Sequence, residues 1–165
     1  AEKLFLFKGN FSRNISIKNL EEFTKSKKAS GTIYNLIQLT GQKEKVVAEL
    51  LTQEIELPLT LTSKLIYSKI GAAILEKIGE IIYPHKFQNK EIIYPALRSA
   101  IIKSIVLGEE KVSIIKFLKA YPNKNVTINL NKLDQTLLKV ESMSELLKFF
   151  SNSPLEKLKE GSSKT

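Results

Sequence analysis

The sequence predicts an α+β domain that is mostly helical, with six to eight helices packed against a small three-stranded sheet. Two segments alternate apolar and polar residues as strands do: residues 3–17, on both sides of Gly9 and Asn10, and residues 126–130. Most of the chain between them repeats apolar residues at helical spacing. Because an isolated hairpin is only marginally stable in water, we expect the later strand to join it in one sheet.

The composition is that of one globular domain. The chain has 165 residues, of which 42% are hydrophobic and 26% charged, which suits a single core and is unlike a disordered chain. We expect the domain to occupy residues 1–150 and residues 151–165 to form a polar C-terminal tail. No stretch of 18 uncharged apolar residues occurs, so the sequence predicts no membrane-spanning helix. The chain has no cysteine, which excludes disulfides and thiolate sites.

Capping residues indicate where the helices of the first half begin. Ser16 or Asn19 can accept hydrogen bonds from the first backbone N–H groups of a helix that ends before the polar loop at residues 25–31. Ser30 begins a short second helix. Thr40 is followed by an acidic residue and is expected to cap a third helix that leads into residues 46–55.

Proline and glycine indicate the element ends in the second half. Ser68 is the expected cap of an amphipathic helix. Pro95 is expected in the first turn of a long helix that Gly108 ends. A shorter helix stops before Pro122, because the residue preceding a proline disfavours helical backbone. We expect helices over residues 61–67, 68–82, 95–107, 112–120 and 132–150. We expect a loop over residues 83–91 and a strand over residues 126–130.

Two glycines interrupt the amphipathic helix SKIGAAILEKIGEII. Each glycine costs a helix about 1 kcal/mol relative to alanine. Gly71, Leu75 and Gly79 fall on one stripe of this helix, so another helix could approach it closely there. We interpret the stripe as a tight helix crossing in the core, with a ligand groove as the alternative.

The positive charge is carried almost entirely by lysine, and Arg98 is one of two arginines. It shares a helical stripe with Ile102, so we expect it to be at least half buried and to need a partner. Glu80 is the candidate partner, and an anion-binding site or an exposed guanidinium are the alternatives. Together Gly71, Leu75, Gly79, Glu80 and Arg98 form a predicted structural or binding seam.

The sequence shows no recognisable catalytic, metal or cofactor motif. The strained G-x-S-x-G turn of α/β-hydrolases is absent, as are the zinc motif H-E-x-x-H, the phosphate-binding P-loop and the calcium loop. The single histidine, His85, is expected to be a solvent-exposed loop residue. We therefore predict no catalytic residues, no cofactor and no metal, and a domain without activity of its own. A glycosidase with paired glutamates stays open.

The net charge of +9 raises the question of a nucleic acid or an anionic membrane as partner. Lysines are scattered along the chain with glutamates between them, and arginine and aromatic residues are scarce, which is unlike a nucleic-acid interface. We expect no specific binding of nucleic acid. Binding to an anionic lipid surface through basic amphipathic helices stays open.

Five segments resemble a known family: FSRNISIKNLEEF, SKIGAAILEKIGEII, ALRSAII, IIKFLKAYP and NVTINL. They are similar to a cyanobacterial domain family of unknown function, and the similarity covers the chain to about residue 145. The resemblance implies an exported, largely helical module that occurs alone or ahead of an α/β-hydrolase catalytic domain.

Two functions follow as expectations. The first is a non-catalytic accessory module that binds a protein partner, such as a hydrolase or a membrane-associated complex, through a helical face. The second is a basic lipid-surface or acyl-chain-binding domain, similar to a lid, in a lipolytic system, with the chain held near Gly71 and Gly79. The chain begins AEKLFLF, as a mature chain would after signal-peptide removal, so we expect export to a periplasm or thylakoid lumen.

Overall fold

A computed structural model of the chain describes residues 1–136, which contain eight helices and six strands. The strands are β1 Lys3–Lys8, β2 Phe11–Ser16, β3 Ile55–Glu56, β4 Ile82–Pro84, β5 Lys111–Val112 and β6 Asn125–Asn129. The helices are α1 Ile17–Ser26, α2 Gly31–Thr40, α3 Glu44–Thr52, α4 Leu59–Ile66, α5 Lys69–Ile81, α6 Lys90–Leu107, α7 Ile114–Ala120 and α8 Leu130–Thr136. The predicted mostly helical α+β class is confirmed.

The main sheet joins both ends of the described chain. Its strand order is β2-β1-β6-β4, with β1 antiparallel to β2 and parallel to β6, and with β4 antiparallel to β6. The predicted hairpin and the later strand lie in one sheet, and β4 adds a fourth strand. Because β6 lies between β1 and β4, it is one of the two interior strands of the sheet, and Val126 is fully buried there.

A second sheet of two residues per strand, which the sequence did not predict, pairs β3 with β5. It fixes the start of α4 against the loop after α6, where Leu57 donates to the backbone oxygen of Glu110 at 2.8 Å and Leu59 donates to the Glu110 carboxylate at 2.9 Å. A small core cluster of Leu57, Leu65, Ile105 and Val112 covers this corner.

Local hydrogen bonds explain several element boundaries. The hairpin turns at Gly9, whose φ of +57° favours glycine. Ser16 caps α1 by accepting from the backbone N–H of Asn19, and Ser68 caps α5 by accepting from that of Gly71. Ser30 is at the N-cap position of α2 without a side-chain bond. These predicted helix starts are confirmed.

Two predicted helix starts are wrong. Thr40 ends α2, and its hydroxyl donates to the backbone oxygen of Ile37 at 2.7 Å; α3 begins after Lys43 instead. The long helix α6 begins five residues before Pro95, because Asn89 caps it by accepting from the backbone N–H of Glu91. Pro95 therefore lies inside α6, where its side chain is exposed.

The predicted helix over residues 132–150 is described as far as α8, and its remainder lies outside the described residues. The same holds for the predicted tail at residues 151–165, so the domain boundary at residue 150 stays a prediction. Within residues 1–136, no helix is both long and apolar enough to cross a membrane.

Candidate functional site

A cavity of about 450 Å³ lies between one face of the main sheet and the surrounding helices. Strand alternation explains how the sheet contributes to it. Leu4 and Leu6 of β1 share one face and line the cavity, together with Ile15 of β2 and Ile128 of β6. Side chains from all eight described helices complete the wall.

The cavity wall is almost entirely apolar. All of its described lining residues are aliphatic residues or phenylalanine except Thr40, Gln42, Thr62 and Ser113, and none carries a charge. The hydroxyl of Thr40 is bonded within α2, and that of Ser113 caps α7 by accepting from the backbone N–H of Lys116 at 3.3 Å. The wall therefore suits an uncharged apolar ligand.

The apolar wall of the cavity has an energetic consequence. The cavity is partly open to solvent, so apolar side chains of the wall contact water where no ligand lies. A ligand that covers this wall and binds only the folded state would stabilise the fold.

The predicted seam lies elsewhere, between α4, α5 and α6. A side chain at Gly71 would collide with the backbone oxygen of Leu65, at the corner where α4 turns into α5. A Cβ at Gly79 would lie 2.8 Å from Cγ2 of Ile93 on α6. Leu75, between the two glycines, is fully buried. The glycines thus permit close approach, once to backbone and once to a side chain.

Arg98 contacts α4 rather than Glu80. Its Nε donates to the backbone oxygen of Ile66 at 3.2 Å, and its guanidinium lies 4.8 Å from the centre of the Tyr67 ring. In the described part of the chain it forms no ion pair with Glu80, which is exposed. The partner predicted for Arg98 is therefore wrong: a backbone carbonyl at the end of α4 takes the place of a carboxylate.

None of the five seam residues lines the cavity described above. Because both glycines are closely packed, the structure has no space for an acyl chain near Gly71 and Gly79. A binding role for the seam stays a prediction. Two helices that touch this closely explain the glycines without a ligand.

His85 is more constrained than a free loop residue. It directly follows β4, its Nδ1 lies 2.8 Å from the Thr127 hydroxyl, and its ring stacks on Phe5 at 3.9 Å between centroids. It is half-buried. Burial, with a smaller contribution from Lys86, lowers the pKa of His85, which favours the neutral ring. The prediction of a solvent-exposed histidine is wrong, because the ring packs against the sheet.

The described carboxylates with shifted pKa values are not poised as acids. Hydrogen bonding from Lys119 lowers the pKa of Glu21, and Lys116 does the same for Glu54. A general acid in a glycosidase needs the opposite shift. Among the described residues, no group of three His, Asp or Glu side chains could hold a metal ion.

Sequence reasoning missed the cavity and its polar residues, above all Thr62 and Ser113. Each wall helix is short and carries an ordinary apolar face, which alone predicts a filled core. Whether such faces meet or leave space depends on distances between elements that are far apart in the chain. A local pattern carries no signal for this.

Comparison with known protein families found a match. A family model described as "Alpha/beta hydrolase of unknown function (DUF1400)" matches residues 1–129. Because the match covers most of the sequence, the chain belongs to this family. Comparison with curated proteins and with solved structures gave no match.

The family description and the chain differ in one respect. An α/β-hydrolase places its serine on a G-x-S-x-G turn, and this motif occurs nowhere in the sequence. The single histidine bonds to a threonine rather than to an acid.

Proposed function

We propose that this domain is a non-catalytic accessory domain of an α/β-hydrolase system, and that it binds the long apolar chain of a lipid in the cavity. The observation that carries the proposal is the cavity itself: about 450 Å³ whose described wall consists of uncharged, almost entirely apolar side chains. Ligand pockets in proteins span roughly 300–1,000 Å³ and have mostly apolar walls.

Both termini of the described fold contribute to this binding site. The N-terminal hairpin supplies Leu4 and Leu6, and the beginning of α8 supplies Leu130 and Leu133. A ligand in the cavity would therefore contact most elements of the domain at once. Binding and folding would be coupled, because a ligand that binds only the folded state raises its stability.

The role that such binding serves is to hold the acyl part of an ester substrate beside a separate catalytic domain. In this proposal the other domain supplies the chemistry, since the sequence has no serine turn. In the same proposal, this domain and the catalytic domain both lie in an exported compartment, a periplasm or a thylakoid lumen.

A series of 1-alkanols from six to fourteen carbons tests the binding. The full chain is titrated with each alkanol, and affinity is measured by displacement of a fluorescent apolar dye and by the rise in melting temperature. We expect Kd to fall about fourfold per added CH₂, the equivalent of about 0.8 kcal/mol, until the chain outgrows the cavity. Affinity should then level off.

A wall variant and a matched surface variant locate the site. Val47→Phe fills part of the cavity and should weaken binding of the longest alkanols, whereas Val106→Phe, on the exposed end of α6, should not. If no alkanol binds, or if both variants bind like the wild type, the chain does not bind lipid in this cavity.

A second candidate function is docking of a protein partner on a helical face. It is favoured by exposed apolar side chains near the α4–α6 contact: Tyr67 is 69% exposed, Val106 57% and Leu107 71%. Arg98 stacks on Tyr67 at one end of this surface. The partner proposed is the catalytic domain of an α/β-hydrolase, since the family is described by that name.

Size-exclusion chromatography of the chain mixed with such a catalytic domain tests the docking. We expect a complex that Val106→Glu with Leu107→Glu abolishes, while Leu39→Glu, an equally apolar exposed position on α2, leaves it intact. Loss of the complex with both variants, or with neither, would count against this face.

A further inference from the structure

The chain leaves the described part of the structure at the wall of the cavity. α8 is the last described element, and its Leu130 and Leu133 line the cavity. α8 contacts α5, which contributes Ile78 and Ile81 to the same wall. These four side chains and that of Ile128 are half-buried, so solvent still reaches them. The wall beside α8 is therefore an apolar surface that the described residues leave partly uncovered.

The sequence after α8 continues the apolar stripe that these two leucines begin. At steps of three or four residues, the stripe continues with Leu137, Val140, Met143 and Leu147. The opposite side of the same helix would carry Gln135 and Ser142. The sequence thus predicts one amphipathic helix whose first two apolar residues already lie in the cavity wall.

We propose that residues 137–150 lie across the wall beside α8 and cover the open side of the cavity. The proposal goes beyond the proposed function and does not depend on it, because it concerns the chain without a ligand. A helix over residues 137–150 would be about 21 Å long. The four strands of the main sheet span about 14 Å between the outer two. The segment is therefore long enough to cross the sheet face that borders the cavity.

Two observations favour this segment over a second copy of the chain or a partner protein. The segment follows α8 directly, so it is held beside the wall at an effective concentration on the order of millimolar, which a separate molecule must exceed. Its apolar stripe is uncharged, and so is the described wall of the cavity. Contact between the two removes apolar side chains of both from water, which is favourable.

Hydrogen exchange of the full chain, measured by mass spectrometry without lipid, tests whether the segment is covered. An isolated helix of this length is marginal in water, so its amides would exchange as fast as those of the polar tail. We expect the amides of residues 137–150 to exchange at least about tenfold more slowly than those of residues 151–165. Val140→Glu combined with Leu147→Glu places two charges on the stripe and should remove this protection. Gln135→Glu combined with Ser142→Glu adds the same charge on the opposite side and should keep it.

A fluorescence measurement tests where the segment lies. The chain has no tryptophan and no cysteine, so each can be introduced as a single probe. Met143→Trp supplies the fluorophore, and a nitroxide on Ile81→Cys supplies a short-range quencher in the cavity wall. Ile70→Cys carries the control label, because Ile70 is an exposed residue at the other end of α5 and outside the described wall. We expect strong quenching from position 81 and little from position 70.

The outcomes decide between the occupants. Exchange in residues 137–150 as fast as in residues 151–165, or quenching that is absent or equal at both positions, would overturn the proposal. Quenching that disappears on dilution would assign the covering segment to a second copy and would also overturn it. If the charged stripe variant unfolds residues 1–136, the quenching in the otherwise unchanged chain still decides. No measurement here contains lipid, so a failure of alkanol binding and a failure of this proposal are distinguishable.

Discussion

The seam between α4, α5 and α6 is closely packed, whereas the cavity beneath the sheet is open space, so one small domain contains both extremes of packing. At the seam, Gly71 and Gly79 leave no room for even one added carbon atom. In the cavity, about 450 Å³ remains between leucine and isoleucine side chains. Both regions are built from the same residue types and share helices, because Ile78 of α5 lines the cavity while its neighbour Gly79 faces α6.

The difference shows that close helix packing and an open apolar cavity occur side by side in the same domain. An added side chain has no room at the seam and has room in the cavity. We therefore expect substitutions in the two regions to respond with opposite sign.

The largest effect is expected for Gly71→Ala. The new Cβ would collide with the backbone of Leu65 and Ile66, which cannot move without distorting the α4–α5 corner. We expect a loss of more than about 3 kcal/mol in the free energy of unfolding, beyond the usual cost of overpacking. Chemical denaturation measures it.

Gly79→Ala is the matched comparison, because its Cβ would meet the Cγ2 methyl of Ile93, which is a side-chain atom rather than backbone. It should cost less than Gly71→Ala, while Gly79→Leu should cost about 1–3 kcal/mol or more. Equal losses at Gly71 and Gly79 on changing to alanine would mean that backbone contact is not what distinguishes them.

An intermediate effect is expected when a phenylalanine is introduced into closely packed α6 and, for comparison, into the cavity wall. Ala100→Phe inserts a ring at a fully buried position of α6 and should destabilise the fold by about 1–3 kcal/mol. Val47→Phe adds a ring to the cavity wall and should be neutral or stabilising in the unliganded chain. Melting temperatures of the two variants, measured without lipid, test this difference. An equal fall in melting temperature for Val47→Phe and Ala100→Phe would contradict it.

The smallest effect concerns His85, on the opposite face of the sheet from the cavity. Its pKa in the folded state is below the ordinary value of 6.5, so the unfolded chain takes up the proton more readily. The stability that the neutral His85 ring contributes is fully present above about pH 6.5. This contribution is lost as the pH falls below that value and passes through the lowered pKa of His85 in the folded state.

Thermal melts of wild type and His85→Gln between pH 5 and pH 8 measure this contribution. Glutamine stays uncharged and can still bond Thr127, so the difference between the two proteins should change on acidification in favour of the variant. A difference that is constant across this pH range would show that His85 does not titrate against the fold.

The sequence predicts those parts of the fold that local chemistry determines. The turn at Gly9 and the caps at Ser16 and Ser68 are confirmed, because each depends on residues within one turn of the chain. The pairing of the hairpin with the later strand is also confirmed, since it follows from the need to complete a sheet. The alternation of apolar and polar residues was sufficient to predict both the hairpin and the later strand.

Contacts between distant elements explain the errors. β4 was missed because Ile82, Tyr83 and Pro84 continue the apolar pattern of α5 and become a strand only beside β6. Arg98 was assigned to Glu80 on the rule that buried cations pair with carboxylates, whereas the end of α4 supplies a carbonyl and an aromatic ring. The cavity and Thr62 were missed for the same reason.

The parallel pairing of β1 with β6 has a consequence for how the chain folds. Lys3 pairs with Asn125, so the sheet cannot close until almost the whole described chain has been synthesised. Contacts of such large sequence separation form slowly. Until then β1 has one unpaired edge with Leu4 and Leu6 beside it, which is the arrangement that invites pairing with a second nascent chain. Dilute, slow refolding should therefore give a higher yield of native protein than rapid refolding at high concentration.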